Sequence, residues 1–136
     1  DLSKNVFTGS IPNIISLLTN LNHLDLSNNA LTGSIPNIIS LLTALNNLDL
    51  SYNSLTGSVP GSVFLLADLS FLNVNGNHLN GTISPFLSLL KLKSLNVTGT
   101  NLTCPPDNTD CGTTQNARTA FCQTCESFCR TCGKPA

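Results

Sequence analysis

The twelve residues TGSIPNIISLLT stand at positions 8–19 and again, unchanged, at 32–43, 24 positions further on. No other feature limits the fold as much. A unit of about two dozen residues cannot bury an apolar face alone, so neighbouring units must stack, and at least about three are needed for stability. Copying at this period points to a scaffold of stacked coils rather than to a duplicated active site.

The period runs beyond the copied segment. Leu2, Leu26 and Leu50 are followed at a constant offset by Asn5, Asn29 and Asn53, and Val74 with Asn77 keeps the register. The fifth turn is one residue shorter, so Val97 leads to Thr100 where the Asn would stand. Gly9, Gly33, Gly57 and Gly81 keep step, with Cys104 in the next place. Pro12, Pro36 and Pro60 do likewise, with Ser84 and Pro85 at the fourth.

Written from Ile11, the unit is I-P-x-x-I-x-x-L-x-x-L-x-x-L-x-L-x-x-N-x-L-x-G-x. This resembles the plant-type extracellular leucine-rich repeat, over residues 1–103, in about four and a half coils of 23–24 residues with the first incomplete. The resemblance implies an α/β solenoid. Its coils would form a right-handed stack with a parallel β-sheet on the inner face and a disulfide-rich C-terminal cap over residues 104–136.

Chemistry assigns the repeated positions to the scaffold. Leu24, Leu26, Leu48, Leu50, Leu72 and Val74 are expected to point inward from short strands, flanking outward residues. Asn5, Asn29, Asn53 and Asn77 stand where the chain leaves each strand. An amide carries both donor and acceptor, so a stacked column of Asn satisfies backbone groups that the turn leaves open. The glycines suit a bend that needs an unusual backbone angle. Each proline that follows removes a donor and limits strand extension.

Function must then reside in the positions that the repeat leaves free. Four outward columns are expected on the inner face: His23, Asn47, Phe71, Ser94; Asp25, Asp49, Asn73, Asn96; Ser27, Ser51, Asn75, Thr98; and Asn28, Tyr52, Gly76, Gly99. These columns are small and neutral, with Tyr52 and Phe71 the large candidates, whereas protein hot spots favour Trp, Tyr and Arg. Asp25 and Asp49 would lie about 4.8 Å apart on neighbouring strands, close enough to share a proton or a cation. Asp also belongs to the ordinary L-D-L-S form of the repeat. Asp25, Asp49, Tyr52 and Phe71 are the candidate inner-face binding residues.

Two further arrays lie elsewhere. Thr8, Thr32, Thr56 and Asn80, with Ser10, Ser34, Ser58 and Thr82 two residues on, would form ranks of short polar groups. Such ranks suit an ice-binding surface as well as ordinary repeat filling. On the outer side, Ile14, Ile38 and Phe86 occupy positions usually polar in this family, beside Leu17, Leu41, Leu65 and Leu89. Exposed, they would make an apolar ridge larger than a soluble monomer normally shows. Leu2, Phe7 and Ile11 would add to this surface at an open first coil. The expectation there is that either upstream repeats or another copy of the chain covers the edge, and head-to-tail contact that does not close builds filaments.

All six cysteines, Cys104, Cys111, Cys122, Cys125, Cys129 and Cys132, follow residue 103. Two C-x-x-C pairs can ligate zinc, and six cysteines can form three disulfides in fifteen ways. Asn80-Gly-Thr, Asn96-Val-Thr and Asn101-Leu-Thr are N-glycosylation sequons in the same chain. Together they favour a secreted protein and a disulfide-bonded tail over a metal site. The absence of a signal-peptide pattern implies a mature chain or a fragment.

Several classes are set aside. A net charge of −1 with 10% charged residues offers no basic footprint for nucleic acid. No apolar run approaches the length of a membrane span. No G-x-S-x-G, H-E-x-x-H or P-loop is present, and His23 and His78 sit in free repeat positions without catalytic partners. No enzyme, cofactor or metal is expected. The sequence points to a secreted, glycosylated structural or interaction protein, self-assembling head to tail. A ligand-recognition fragment of a receptor ectodomain or an enzyme inhibitor is the alternative, and ice binding the third reading.

Overall fold

The computed structural model describes residues 1–83 and 92–103. Among the described residues, nine short strands follow in chain order: β1 Thr8–Ser10, β2 His23–Asp25, β3 Ala30–Thr32, β4 Asn47–Asp49, β5 Thr56–Gly57, β6 Phe71–Asn73, β7 His78–Thr82, β8 Ser94–Asn96 and β9 Asn101–Thr103. They divide between two sides of each coil.

The inner sheet has the order β2-β4-β6-β8 and is parallel throughout. Equivalent residues pair, with Leu24 beside Leu48, Leu48 beside Leu72 and Leu72 beside Leu95. A three-residue strand buries only its central side chain, so these leucines enter the core while both flanking residues face outward. The Leu2 N–H donates to the Asp25 carbonyl at 2.8 Å, as Leu26 does to Asp49 and Leu50 to Asn73.

The outer arc explains the three-residue spacing of I-x-x-L-x-x-L. After Pro12, Pro36 and Pro60 come the 3₁₀ turns Asn13–Leu17, Asn37–Leu41 and Gly61–Leu65. The Ile39 N–H donates to the Pro36 carbonyl, Leu42 to Ile39 and Leu45 to Leu42, at 3.1, 3.1 and 2.9 Å. Such i→i+3 bonding eclipses side chains three apart. Ile39, Leu42 and Leu45 therefore all enter the core, as do Val63, Leu66 and Leu69 in the next coil. Among the described residues, the helical part of the expected α/β solenoid is thus 3₁₀ rather than α. No described helix is long and apolar enough to cross a membrane.

A second set of parallel strands lies past the asparagine turns. β1 pairs with β3, and β5-β7-β9 form a sheet, with a Ser34–Thr56 bridge linking the two groups. Here partners stand 22 residues apart, as in Thr8 with Ala30 and Thr56 with His78, against 24 on the inner sheet, as in His23 with Asn47. Each coil is therefore displaced by two residues, about 6.6 Å, relative to its neighbour along this edge. The expectation of straight hydroxyl ranks is corrected: Ser10 stands opposite Thr32 and Ser34 opposite Thr56, while Thr8 faces Ala30. The bend glycines make the stagger feasible. Gly33 and Gly57 both have φ 76, and a Cβ built on them would lie 3.4 and 3.6 Å from the Cβ atoms of Ser10 and Ser34.

Candidate recognition face

The inner face is held in place by its asparagines. Asn53 Nδ2 donates to the carbonyls of Leu26, Leu50 and Ser51 at 2.9, 3.1 and 3.2 Å, and its Oδ1 accepts from the Leu31 N–H at 3.0 Å. Asn77 repeats this with Leu50, Val74 and Asn75 as acceptors and Leu55 as donor. Asn29 does so with Leu2, Leu26 and Ser27, and with Phe7 as donor. Each side chain thus makes two hydrogen bonds within its own coil and two to the preceding one. Asn5 bonds only within its own coil, to Leu2 and Ser3. Thr100 also stays local, donating to Val97 at 2.6 Å and accepting from Leu102 at 3.4 Å.

The acidic column serves the backbone. Asp25 Oδ1 accepts from the Ser27 N–H at 2.9 Å, and Asp49 Oδ1 accepts from Ser51 N–H and Oγ at 2.9 and 2.6 Å. Asn73 and Asn96 accept in the same way from Asn75 and Thr98. Asp25 and Asp49 are register partners, and Asp49 Oδ2 also accepts from Asn73 Nδ2 at 3.1 Å. Among the described residues no group of three or more His, Cys, Asp or Glu is placed to hold a metal ion. Ser27 and Ser51, expected to face outward, are buried instead: the local turn folds the hydroxyl of Ser51 onto Asp49, while Ser27 Oγ accepts from Asn28 Nδ2 at 3.2 Å.

The next column holds a feature that the sequence reading missed. Lys4, Asn28 and Tyr52 have φ 53, 54 and 51, and Gly76 and Gly99 continue the left-handed column at 65 and 64. The conformation is imposed by the stack: the N–H groups of Lys4, Asn28, Tyr52 and Gly76 each donate to the following coil, to Ser27, Ser51, Asn75 and Thr98. Two glycines in this column were the available signal. For a bulky residue such as Tyr52 the conformation is an outlier. Its ring lies over Gly76, where an added Cβ would come within 2.8 Å of Cδ1. Tyr52 remains 56% exposed. Phe71 is half-buried at the opposite end of the strands, flanked in register by Asn47 and Ser94, so the sheet does not bring it to Tyr52.

On the outer side Leu17, Leu41 and Leu65 are 73%, 53% and 73% exposed, with Ile14 exposed beside them. Ile38 is only partly exposed and packs on the core. Ile11 departs from its expected place on an assembly surface: it is 4% exposed, because the residue before each proline turns into the core, as Ile35 and Val59 do. Leu2 and Phe7 are exposed and line a hollow of about 660 Å³ together with Ile14, Leu17 and core residues such as Leu24 and Leu26. Asn80 and Asn101 are exposed on β7 and β9, whereas Asn96 is half-buried on β8. Phe86, Leu89 and the six cysteines lie outside the described residues.

Residues 19–79 match the family described as leucine rich repeat. Among solved structures, the chain is similar to the BIR3–SERK2 complex from Arabidopsis thaliana at 44% identity and a TM-score of 0.71, covering 78% of this chain and 56% of that one. It is similar to the BIR2 ectodomain from Arabidopsis thaliana at 37% identity and a TM-score of 0.71, with the same coverage of 78% and 56%. The Arabidopsis receptor kinase HAESA, in complex with the peptide hormone IDA and the co-receptor SERK1, aligns at 38% identity and a TM-score of 0.71, over 74% of this chain and 17% of that one. The chain therefore spans little more than half the length of the first two. No curated protein sequence gives a match. Parallel inner strands, asparagine columns and these likenesses together give the chain the leucine-rich repeat fold of plant receptor ectodomains.

Proposed function

We propose that this chain is a non-catalytic extracellular recognition module that binds a protein or peptide along its inner sheet. The observation that carries the reading is Tyr52: a large aromatic side chain, more than half exposed, held in an unfavourable backbone conformation over Gly76. Strained, over-determined residues are found preferentially at binding sites, and Tyr is among the commonest hot-spot residues. The rest of the face supplies small amide, hydroxyl and carboxylate groups, suited to the polar backbone of an extended segment. The peptide hormone in the HAESA complex is in keeping with such a ligand.

Selection of a displayed random-peptide library on the folded protein tests this. Enriched peptides are expected to lose binding to Tyr52→Asn, a change the backbone accommodates because Asn28 holds the same conformation one coil earlier. They are expected to retain binding to Ser58→Ala, just past β5 and away from the inner sheet. Binders indifferent to Tyr52→Asn would remove the proposed anchor.

A second reading, self-association, is favoured by the exposed Leu17, Leu41 and Leu65 and by the apolar hollow at Leu2 and Phe7. Sedimentation of the wild type beside Leu41→Glu separates the two. A concentration-dependent assembly abolished by the glutamate would favour it, and a monomer at all concentrations would end it. Staggered hydroxyls rather than straight ranks leave ice binding without comparable support. The cysteines are proposed to form a disulfide-bonded cap and the sequons to carry N-linked glycans, both in keeping with an extracellular location.

A further inference from the structure

Two of the three sequons are far apart in sequence but adjacent in space. Asn80 on β7 and Asn101 on β9 are register partners, and so are Thr82 and Thr103. The two threonine hydroxyls lie 3.3 Å apart, and Thr103 Oγ1 also donates to the Gly81 carbonyl at 3.3 Å, so both sequons face the same side of the sheet. All four side chains are exposed. Neighbouring strands are separated by only about 4.8 Å. N-linked glycans are bulky and branch outward, so two of them leaving paired residues on one face must share the space of a single stem.

We propose that Asn80 and Asn101 form one shared modification site: in the folded chain, an N-glycan on either residue excludes a glycan on the other. The inference rests on passage through the secretory pathway. The donor is a lipid-pyrophosphate-linked oligosaccharide. The asparagine Nδ2–C1 bond forms as the C1–O bond to pyrophosphate breaks, the lipid pyrophosphate leaves, and one amide proton passes to a base of the transferase. Transfer takes place on the extended chain, and folding then selects. Closing β7 against β9 brings Thr82 to Thr103 and Asn80 to Asn101, so a doubly modified chain cannot seat β9 on β7. Asn96 is independent of the pair, since it lies on β8 in the other sheet with its Oδ1 engaged by Thr98.

The test supplies a secretory leader in a eukaryotic host, which makes the outcome independent of the natural compartment. Thr98→Ala removes the Asn96 sequon while keeping its acceptor for the Thr98 N–H. Intact-mass spectrometry of the folded, secreted Thr98→Ala protein is expected to show one glycan per molecule, and glycopeptide mapping to place it on Asn80 or Asn101. Adding Asn80→Gln or Asn101→Gln is expected to leave one glycan, on the remaining site. Two glycans on most Thr98→Ala molecules would overturn the proposal, as would none on either residue. Glycan on protein from its natural source tests the extracellular reading separately.

Discussion

Gly76→Ala separates two costs that the stack imposes at one position. The first is conformational. At φ 65 a Cβ is disfavoured, by about 1–2 kcal/mol. The second is steric, because the new methyl would stand 2.8 Å from Tyr52 Cδ1 and 3.2 Å from Cε1. Overpacking of this kind costs about 1–3 kcal/mol in a closed core, and the low end applies because the Tyr52 ring can swing toward solvent. The alanine also lowers the entropy of the unfolded chain, offsetting about 0.4–1 kcal/mol. Gly57→Ala is the control: φ is 76, but its nearest neighbour, Ser34 Cβ, is at an ordinary 3.6 Å. Gly76→Ala should therefore destabilise by about 1 kcal/mol more than Gly57→Ala. In a Tyr52→Ala background that excess should vanish. Urea unfolding followed by circular dichroism measures both, provided the m-value is constant. Equal costs for the two glycines, or an excess that survives loss of the tyrosine ring, would refute the assignment of the ring to Gly76.

Four further substitutions are read by the same unfolding measurement. Asn53→Ala strips four hydrogen bonds from a buried site and should cost about 2–4 kcal/mol, whereas Asn5→Ala, exposed and bonded within its own coil, should cost less than about 1 kcal/mol. Thr100→Asn should add about 1 kcal/mol by restoring a bridge to the preceding coil, and a loss would show that the turn at this position has no room for the amide. Ser62 Oγ is buried and has no hydrogen-bond partner among the described residues, so Ser62→Ala should stabilise by about 1 kcal/mol, and any loss would mean that the hydroxyl is engaged in the folded state.

The sequence spelled out the inner sheet because a three-residue strand and an asparagine turn recur at one offset, and position alone decides which way each leucine points. It was less informative wherever the outcome depends on neighbouring coils. The second set of strands is built from Thr-Gly-Ser, which carries no apolar alternation, and a 22-residue pairing cannot be inferred from a 24-residue repeat. Leu41 and Leu42 read alike, as do Ile11 and Ile14, yet Leu42 and Ile11 are buried while Leu41 and Ile14 are exposed. The eclipsing of 3₁₀ positions and the turn before each proline decide which is buried, and neither shows in hydrophobicity. Tyr52 was identified as a large side chain on a polar face. Its left-handed backbone was not, because the constraint comes from a hydrogen bond to Asn75 in the following coil.

The two sheets act as rulers laid along the same stack, and they show where a coil tolerates a change in length. Between the last two coils the inner pairing drops from 24 to 23 residues, as Phe71 meets Ser94, and the outer pairing drops from 22 to 21, as Asn80 meets Asn101. Both rulers lose one residue together, so the deletion lies after Thr82 and before Ser94. Strand, asparagine turn and bend are thus fixed in length by hydrogen bonds on two sides, while the arc between them is the adjustable part of the period. Variation in coil length, natural or engineered, should collect in that arc and leave the spacing of the inner-face side chains unchanged.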